Sequence, residues 1–327
     1  MSGKITNCRI LITGGAGFIG SHLTEALLKK GDAVTVVDNF STGSIQNLSA
    51  VRDHRALKVL ELDVAEDQKE IAQLVKESDC VIHLAAAVGV ELVVNEPART
   101  ISTNVRGTEN VLLPATEFDK RIIAASTSEV YGKSSKEKFS ESDDLLIGSP
   151  EHSRWSYACS KLLDEFYLTA LVQTAGLRGT VTRFFNTVGP RQTGRYGMVL
   201  PRFVRAALNN EDIPVYGDGG QSRCFCHVSD VIRALVSLID DERTYGEVYN
   251  IGSQRLVTIR ELAELVIERT QSTSKIAVIP YEKAYAKGFE DMRRRMPDTA
   301  KIHALNNWQV EKTLEEIIDD VAESLKK

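Results

Sequence analysis

The sequence predicts an α/β fold in which a doubly wound parallel sheet carries a smaller C-terminal lobe. Three observations lead to this prediction. First, an apolar run leads into a glycine-rich turn over residues 10–20. Second, strand and helix patterns then alternate as far as Asn186, as in parallel sheets with helices on both faces. Third, the segments beyond Asn186 are rich in Gly, Pro and Arg. We therefore expect one domain over residues 1–186 and a second lobe over 187–327, with a strand returning to the sheet at about residues 247–251.

Apolar periodicity and the residues that interrupt it give the elements in order. Strands are predicted at residues 10–13, 33–37, 59–63, 80–85, 121–126, 180–185 and 247–251. Helices are predicted from the glycine turn to about Gly31, then at residues 67–76, 99–118, 157–174 and 200–209. The order strand, helix, strand repeats throughout the first half, which predicts right-handed crossovers within one sheet.

The turn after the first strand has the spacing of a dinucleotide site. Gly14 permits the tight turn, Gly17 lets backbone N–H groups approach a pyrophosphate, and Gly20 lets the helix lie close to the sheet. Asp38 ends the next strand, where its carboxylate can accept both hydroxyls of an adenosine ribose. Because that carboxylate would repel a ribose phosphate, NAD is predicted rather than NADP.

Composition excludes several classes of protein. The chain has 327 residues, a hydrophobic fraction of 43% and a net charge of -5, with Lys and Arg dispersed along it, so a nucleic-acid partner is not expected. The five cysteines lack CxxC spacing, which favours reduced, mostly buried thiols over a metal site. No signal pattern or bilayer-length apolar run is present, so we expect a cytoplasmic protein without a membrane partner.

A second motif has the residues of an acid–base site. Tyr157 and Lys161 are four residues apart and share one face of the predicted helix. An ammonium beside a phenol lowers the pKa of the phenol, so Tyr157 is predicted as a general base. The hydroxyls of Ser126 and Thr127 lie at the end of the fifth strand, where they would hold a sugar hydroxyl or carbonyl.

Together these motifs resemble the extended short-chain dehydrogenase/reductase superfamily, in its nucleotide-sugar-modifying branch, over almost the whole chain. Residues 13–20 resemble its TGxxGxxG turn, and Tyr157 and Lys161 resemble its YxxxK pair. Further similar segments are Asp63-Val64, His83-Leu84-Ala85-Ala86, Arg183-Phe184-Phe185-Asn186, residues 217–223 and residues 295–298. The resemblance implies a Rossmann-like fold, tightly bound and recycled NAD, a nucleotide-sugar substrate, and a structural role for His83.

The resemblance also implies site residues. Those expected to bind the cofactor are Gly14, Gly17, Phe18, Ile19, Gly20, Asp38, Asn39, Ser41, Thr42, Gly43, Asp63, Val64, Leu84, Ala85, Ala86, Asn104, Ser126, Tyr157 and Lys161. Those expected to act in catalysis are Thr127, Ser128, Glu129, Tyr157 and Lys161. Those expected to bind substrate are Asn186, Arg191, Pro201, Tyr216, Arg223 and Arg295, whose guanidinium groups match diphosphate oxygens.

Members of this branch oxidise carbon 4 of the sugar and then differ in the next step. A decarboxylase, a 4-epimerase, a 4,6-dehydratase and a non-catalytic NAD-binding regulator all remain open. Glu129 favours the decarboxylase, because residues 127–132 are similar to the TSEVYG segment of UDP-xylose synthases. In that interpretation Glu129 orients the sugar and repels the departing carboxylate, and Arg223 or Ser128 assists proton return. The resemblance further implies a homodimer formed through the helices at residues 99–118 and 157–174.

Overall fold

The computed structural model describes residues 7–194, 198–280 and 292–326, so the predicted domain ends at residues 1 and 327 lie outside the described residues. The strands are β1 (Arg9–Thr13), β2 (Ala33–Asp38), β3 (Leu57–Glu61), β4 (Cys80–His83), β5 (Arg121–Thr127), β6 (Arg178–Phe184), β7 (Thr187–Val188), β8 (Ile213–Tyr216), β9 (Ser222–Cys224), β10 (Cys226–His227), β11 (Val248–Ile251), β12 (Leu256–Thr258), β13 (Ile276–Ile279) and β14 (Arg294–Arg295).

The helices surround the sheet and form most of the small lobe. They are α1 (Phe18–Lys30), α2 (Gln68–Glu77), α3 (Val90–Asn95), α4 (Pro97–Glu117), α5 (Trp155–Ala175), α6 (Val199–Leu208), α7 (Val228–Ile239), α8 (Ile259–Thr270), α9 (Ala300–Asn306) and α10 (Leu314–Lys326). Within the described part of the chain, none of them is long and apolar enough to cross a membrane.

The main sheet has the doubly wound topology that the sequence predicted. Its seven strands lie in the order β11-β6-β5-β4-β1-β2-β3. Every pair is parallel, with Ile10 opposite Val34 on one side and opposite Cys80 on the other. The strand order reverses between β1 and β4, and in such sheets the crevice at the carboxyl ends beside this reversal is where ligands bind. The fold class is therefore confirmed.

Two strands end two residues earlier than predicted. β3 stops at Glu61 because Asp63 turns away from the ladder, its N–H donating to Asp67 Oδ2 at 2.7 Å and its Oδ1 accepting from Ala65 N at 2.9 Å. β4 stops at His83, after which the chain bends towards the glycine turn. In both cases a local polar or steric contact ends the strand, while the apolar pattern continues.

The small lobe has its own core. Its helices α6, α8 and α10 pack together over β8 and β12, burying side chains such as Phe203, Leu262 and Ile317. Cys224 and Cys226, which would share a face of one strand, instead belong to β9 and β10. All five thiols are free, and burial raises the pKa of Cys224 to about 12.

Candidate active site

A cavity of about 880 Å³ lies at the carboxyl ends of the central strands, between the main sheet and the small lobe. It brings together all five predicted catalytic residues, Thr127, Ser128, Glu129, Tyr157 and Lys161. The predicted cofactor residues on its wall are Gly14, Gly17, Phe18, Ile19, Gly20, Asp38, Asn39, Ser41, Thr42, Asp63, Val64, Leu84, Ala85, Ala86 and Ser126. The predicted substrate residues there are Asn186, Pro201, Tyr216, Arg223 and Arg295.

The glycine turn forms one end of this cavity and fits an anionic group. Gly14 has φ +72°, and a side chain there would lie 2.8 Å from the backbone nitrogen of Ala85. A Cβ on Gly20 would lie 2.6 Å from Gly15 Cα, so the helix and the turn are in close contact. α1 begins without an acidic residue in its first turn and without a side-chain cap. Its first N–H groups and its dipole therefore suit the pyrophosphate of a dinucleotide.

Asp38 lies beside the glycine turn, and its carboxylate already accepts hydrogen bonds from backbone N–H groups. Its Oδ2 accepts from Ala16 N at 3.0 Å and its Oδ1 from Phe40 N at 2.9 Å. Burial raises the pKa of the Asp38 carboxyl, and these backbone N–H groups oppose the rise. Each oxygen retains acceptor capacity, so a ribose hydroxyl would share the carboxylate with the turn.

Three predicted site residues do not line the cavity. A Cβ on Gly43 would lie 2.9 Å from both Asp38 oxygens, so Gly43 packs behind that carboxylate. The Asn104 side chain bridges the backbone of Ala87 and the Ser160 hydroxyl, at 2.7 to 3.3 Å, and so braces the cavity wall from behind.

Arg191 is the third predicted site residue that does not line the cavity, and its side chain is directed away from the predicted diphosphate site. Its Nη2 donates to Glu25 Oε1 at 2.6 Å, and its Nη1 to Ser21 Oγ at 3.3 Å, both on α1. In this structure a carboxylate on the neighbouring helix pairs with the Arg191 guanidinium, and the role of Arg191 in substrate binding stays a prediction.

The side chains predicted to act in catalysis converge at the carboxyl end of β5. The Tyr157 hydroxyl is hydrogen-bonded to the Thr127 side chain. Thr127 Oγ1 also accepts from Glu129 N at 3.2 Å, which caps the short 3₁₀ turn that presents Ser128 and Glu129. Lys161 lies one turn after Tyr157 on α5 and is 3% exposed. A phenol, a hydroxyl group and a cation therefore face one cavity.

The pKa of Tyr157 is opposite in direction to the expectation. Burial raises the pKa of the phenol, and the nearby Glu129 carboxylate raises it further, while the hydrogen bond from Thr127 opposes the rise. Lys161 does not reverse this because its Nζ donates to Asp164 Oδ2 at 2.7 Å, so its charge is partly neutralised. In the protein alone, Tyr157 is therefore a protonated phenol at neutral pH.

Glu129 is the centre of a buried charge cluster with Arg154 and Arg295. Its Oε1 accepts from Arg295 Nη1 at 2.8 Å, and its Oε2 lies 3.4 Å from Arg154 Nη2. Burial alone would raise the pKa of Glu129, but the guanidinium groups of Arg154, Arg295 and Arg223 together hold it below its usual value. Glu129 is thus an ionised carboxylate among cations, and Arg295, which was predicted as a diphosphate ligand, donates to it.

Arg154 was missed as a site residue by the sequence reasoning. It lies three residues before Tyr157, a spacing that places both side chains on one face of a helix, so this signal could have identified it. Arg202 was missed as well: its Nη2 donates to the Tyr216 hydroxyl at 2.8 Å, at the small-lobe end of the cavity. In the same region the Asn186 amide donates to Cys224 O at 2.9 Å.

Comparisons with known proteins agree with this geometry. Residues 10–252 match the model of the NAD dependent epimerase/dehydratase family. A curated relative from Bacillus cytotoxicus, named UDP-N-acetyl-alpha-D-glucosaminuronate decarboxylase, is 44% identical over 90% of each chain. UDP-glucuronic acid decarboxylase 1 of Danio rerio is 37% identical over 94% of this chain and 70% of its own.

Solved structures share the whole fold. The UDP-glucose 4-epimerase of Thermotoga maritima, determined with UDP-glucose, superposes with a TM-score of 0.85 and 32% identity. The superposition covers 97% of this chain and 98% of the other. The main sheet and the small lobe are thus arranged as in an enzyme that acts on a nucleotide sugar.

Proposed function

Because this chain belongs to the NAD dependent epimerase/dehydratase family, we propose that it decarboxylates a UDP-linked hexuronate through a transient 4-keto sugar. The observation that carries the proposal is the charge cluster around Glu129. Three guanidinium groups act on one carboxylate there, so these four side chains carry a surplus of positive charge. A second carboxylate, such as carbon 6 of a uronate, would complete the cluster, whereas a neutral hydroxymethyl group would not.

The residues suit the first chemical step. Tyr157 would act in its phenolate form, to which Thr127 donates a hydrogen bond. The phenolate would accept the proton of the hydroxyl at carbon 4 and so become a phenol. NAD bound at the glycine turn would supply the hydride acceptor. Gly14, Gly17 and Gly20 would hold its diphosphate, Asp38 its adenosine ribose, and Lys161 its second ribose.

Oxidation at carbon 4 makes the sugar a β-keto acid. The bond between carbons 5 and 6 then breaks, carbon dioxide leaves, and the electron pair is delocalised onto the carbon 4 oxygen. Tyr157, Thr127 and Ser128 surround that oxygen, and Glu129 repels a carboxylate that has lost its contact with Arg154 or Arg295. Arg223, Arg295 and Ser128 line the same cavity and would assist the proton that returns to carbon 5. Return of the hydride to carbon 4, with the Tyr157 proton passing back to the carbon 4 oxygen, would then give the pentose and leave NAD oxidised.

The test is incubation of the protein and NAD with UDP-glucuronate and, separately, with its 2-acetamido analogue. The two named decarboxylase relatives differ in this substituent. Mass analysis and proton NMR should show loss of carbon dioxide with one or both sugars, and Tyr157→Phe prepared identically should give none. An isobaric product inverted at carbon 4 would instead make the chain an epimerase and overturn the proposal.

A matched pair of ligands tests the cationic cluster itself. Arg154→Met keeps an unbranched apolar stem but removes the guanidinium and its charge. We expect the KM for the uronate to rise by about tenfold or more, because a charge-assisted contact is lost. The inhibition constant of UDP-glucose, which lacks the carboxylate, should stay within about twofold. Equal changes for both ligands would assign Arg154 to folding of the site rather than to recognition of the carboxylate.

We also propose a homodimer through α4 and α5. These helices pack against each other, yet their outer faces expose large apolar side chains, among them Ile101 (43%), Leu163 (51%) and Phe166 (66%). Exposed apolar patches of this kind are typical of protein interfaces. Light scattering at micromolar concentration tests the state directly, and a monomeric mass would contradict it.

A cytoplasmic location is the corresponding proposal for the environment. All five cysteines are free thiols, and four of them are buried. Proteins of oxidising compartments usually pair their cysteines, so this pattern favours a reducing compartment. Fractionation of cells that produce the protein would test it.

A further inference from the structure

Lys161 has a buried counterion behind the cavity. Its Nζ lies 2.7 Å from Asp164 Oδ2, and the two side chains are 3% and 6% exposed. Lys161 faces the cavity, whereas Asp164 lies one turn further along α5 and is hydrogen-bonded to Thr108 of α4. The cation that faces Tyr157 is therefore held from behind by a carboxylate.

A chain of hydrogen bonds with one direction ends at this carboxylate. The Thr108 hydroxyl donates its proton to Asp164, so its oxygen must accept from His83 Nε2, 3.2 Å away. His83 is neutral because burial lowers its pKa to about 3, and its Nδ1 therefore accepts from the Thr13 hydroxyl at 2.7 Å. Thr13, at the end of β1, is thus linked to Asp164 through three consecutive hydrogen bonds, and in each of them the donor is fixed.

The charges around Asp164 explain what it can do. On its own helix it faces Lys161 and Glu165, and from α4 it faces Thr108, which in turn contacts the neutral His83 of β4. Burial raises the pKa of Asp164, and Lys161 and Thr108 oppose the rise by donating to the ionised form.

Tyr157 is affected by the same charge. The groups that act on its phenol are Glu129, Thr127, Asp164 and Arg295, with both carboxylates opposing loss of its proton. Asp164 thus opposes loss of the Tyr157 proton in two ways, directly by its own charge and indirectly by neutralising Lys161.

We propose that Asp164 is a positioning residue that anchors the Lys161 ammonium, partly cancels its charge, and so sets the lowest pH at which Tyr157 acts as a base. The inference rests on the proposed role of Tyr157. It adds a residue behind the cavity whose charge tunes the base without contact with substrate or cofactor.

The test compares Asp164→Asn with Thr108→Val. Asp164→Asn keeps an oxygen for Lys161 but removes the negative charge, so the acid limb of the kcat profile should move to lower pH by about 0.5 to 1 unit. Thr108→Val breaks the hydrogen-bond chain with the charge retained, and its acid limb should stay within about 0.2 unit of the parent. Asp164→Ser, which also deletes the charge, replaces Asp164→Asn if that variant does not fold.

A second readout needs no turnover. The protein loaded with NAD is labelled with ¹³C at the tyrosine hydroxyl carbon and titrated by NMR, with Tyr157→Phe identifying the resonance. The Tyr157 resonance should titrate at lower pH in Asp164→Asn than in the parent. A uniform loss of kcat with both the acid limb and the NMR titration unchanged would overturn the proposal. If the proposed decarboxylation alone were wrong, the NMR shift would still appear.

Discussion

Replacing Glu129 by glutamine tests the charge cluster most directly. The side chain of Glu129 is 16% exposed, and those of Arg154 and Arg295 are 7% and 12% exposed. Removing one partner of a buried ion pair costs roughly 3–5 kcal/mol, and the glutamine oxygen keeps one hydrogen bond worth about 1 kcal/mol. We therefore expect Glu129→Gln to lower the free energy of unfolding by about 2–4 kcal/mol at pH 7.

The pH dependence of that loss has a definite sign. The folded pKa of Glu129 lies below its ordinary value of 4.5, despite burial, because three guanidinium groups stabilise the carboxylate. Its contribution to stability is then complete above the unfolded pKa and is lost as the pH falls through the folded pKa. The difference between parent and variant should be constant from about pH 6 to 8 and should shrink below about pH 4.5.

Thermal unfolding of the two proteins across this pH range provides the measurement. Glu137→Gln is the matched control, because Glu137 pairs with Arg294 at 3.4 Å but is 86% exposed. That variant should change stability by no more than about 0.5 kcal/mol. If Glu129→Gln were as mild as the control, or equally costly at every pH, the cluster would not be the buried ionic unit described above.

Further predictions concern Tyr157, the glycine turn, Arg191 and the proposed dimer. Tyr157→Phe should abolish turnover while the purified protein still carries NAD, as absorbance and mass analysis would show; full activity would remove the proposed base. Gly20→Ala should weaken NAD binding about tenfold or more, measured by calorimetry, because its Cβ would lie 2.6 Å from Gly15 Cα. Arg191→Ala should leave kcat and KM within about twofold, since its partner is Glu25, and a large rise in KM would return Arg191 to the substrate site. Phe166→Glu should give a monomer by light scattering, whereas an unchanged dimer would place the interface elsewhere.

Much of the architecture could be predicted because the relevant signals are local. Apolar periodicity predicted the strands of the main sheet to within two residues. Two of the two-residue errors came at residues 61 and 83, where a polar turn or a steric contact ends the strand. The glycine turn was likewise predictable, since the positive φ of Gly14 and the close contact of Gly20 with Gly15 both belong to one strand-turn-helix unit.

The pairing of side chains could not be predicted in the same way. Arg191 and Arg295 look alike in the sequence, yet one pairs with Glu25 on α1 and the other with Glu129 inside the cavity. Asn104 was expected to bind the cofactor. Because α4 packs against α5, its amide donates to the Ser160 hydroxyl. The contact between Arg295 and Glu129 spans 166 positions, so only folding decides it.

By itself the sequence determined the fold class, the dinucleotide turn and the identity of the residues gathered at the ends of the strands. The tertiary structure alone decided the ionisation of those residues. Tyr157 and Lys161 are four positions apart in any helix, but burial, Glu129 and Asp164 raise the pKa of the phenol instead of lowering it. The physical reason is that periodicity depends on neighbours in the chain, whereas desolvation and charge pairing depend on everything packed within a few ångströms.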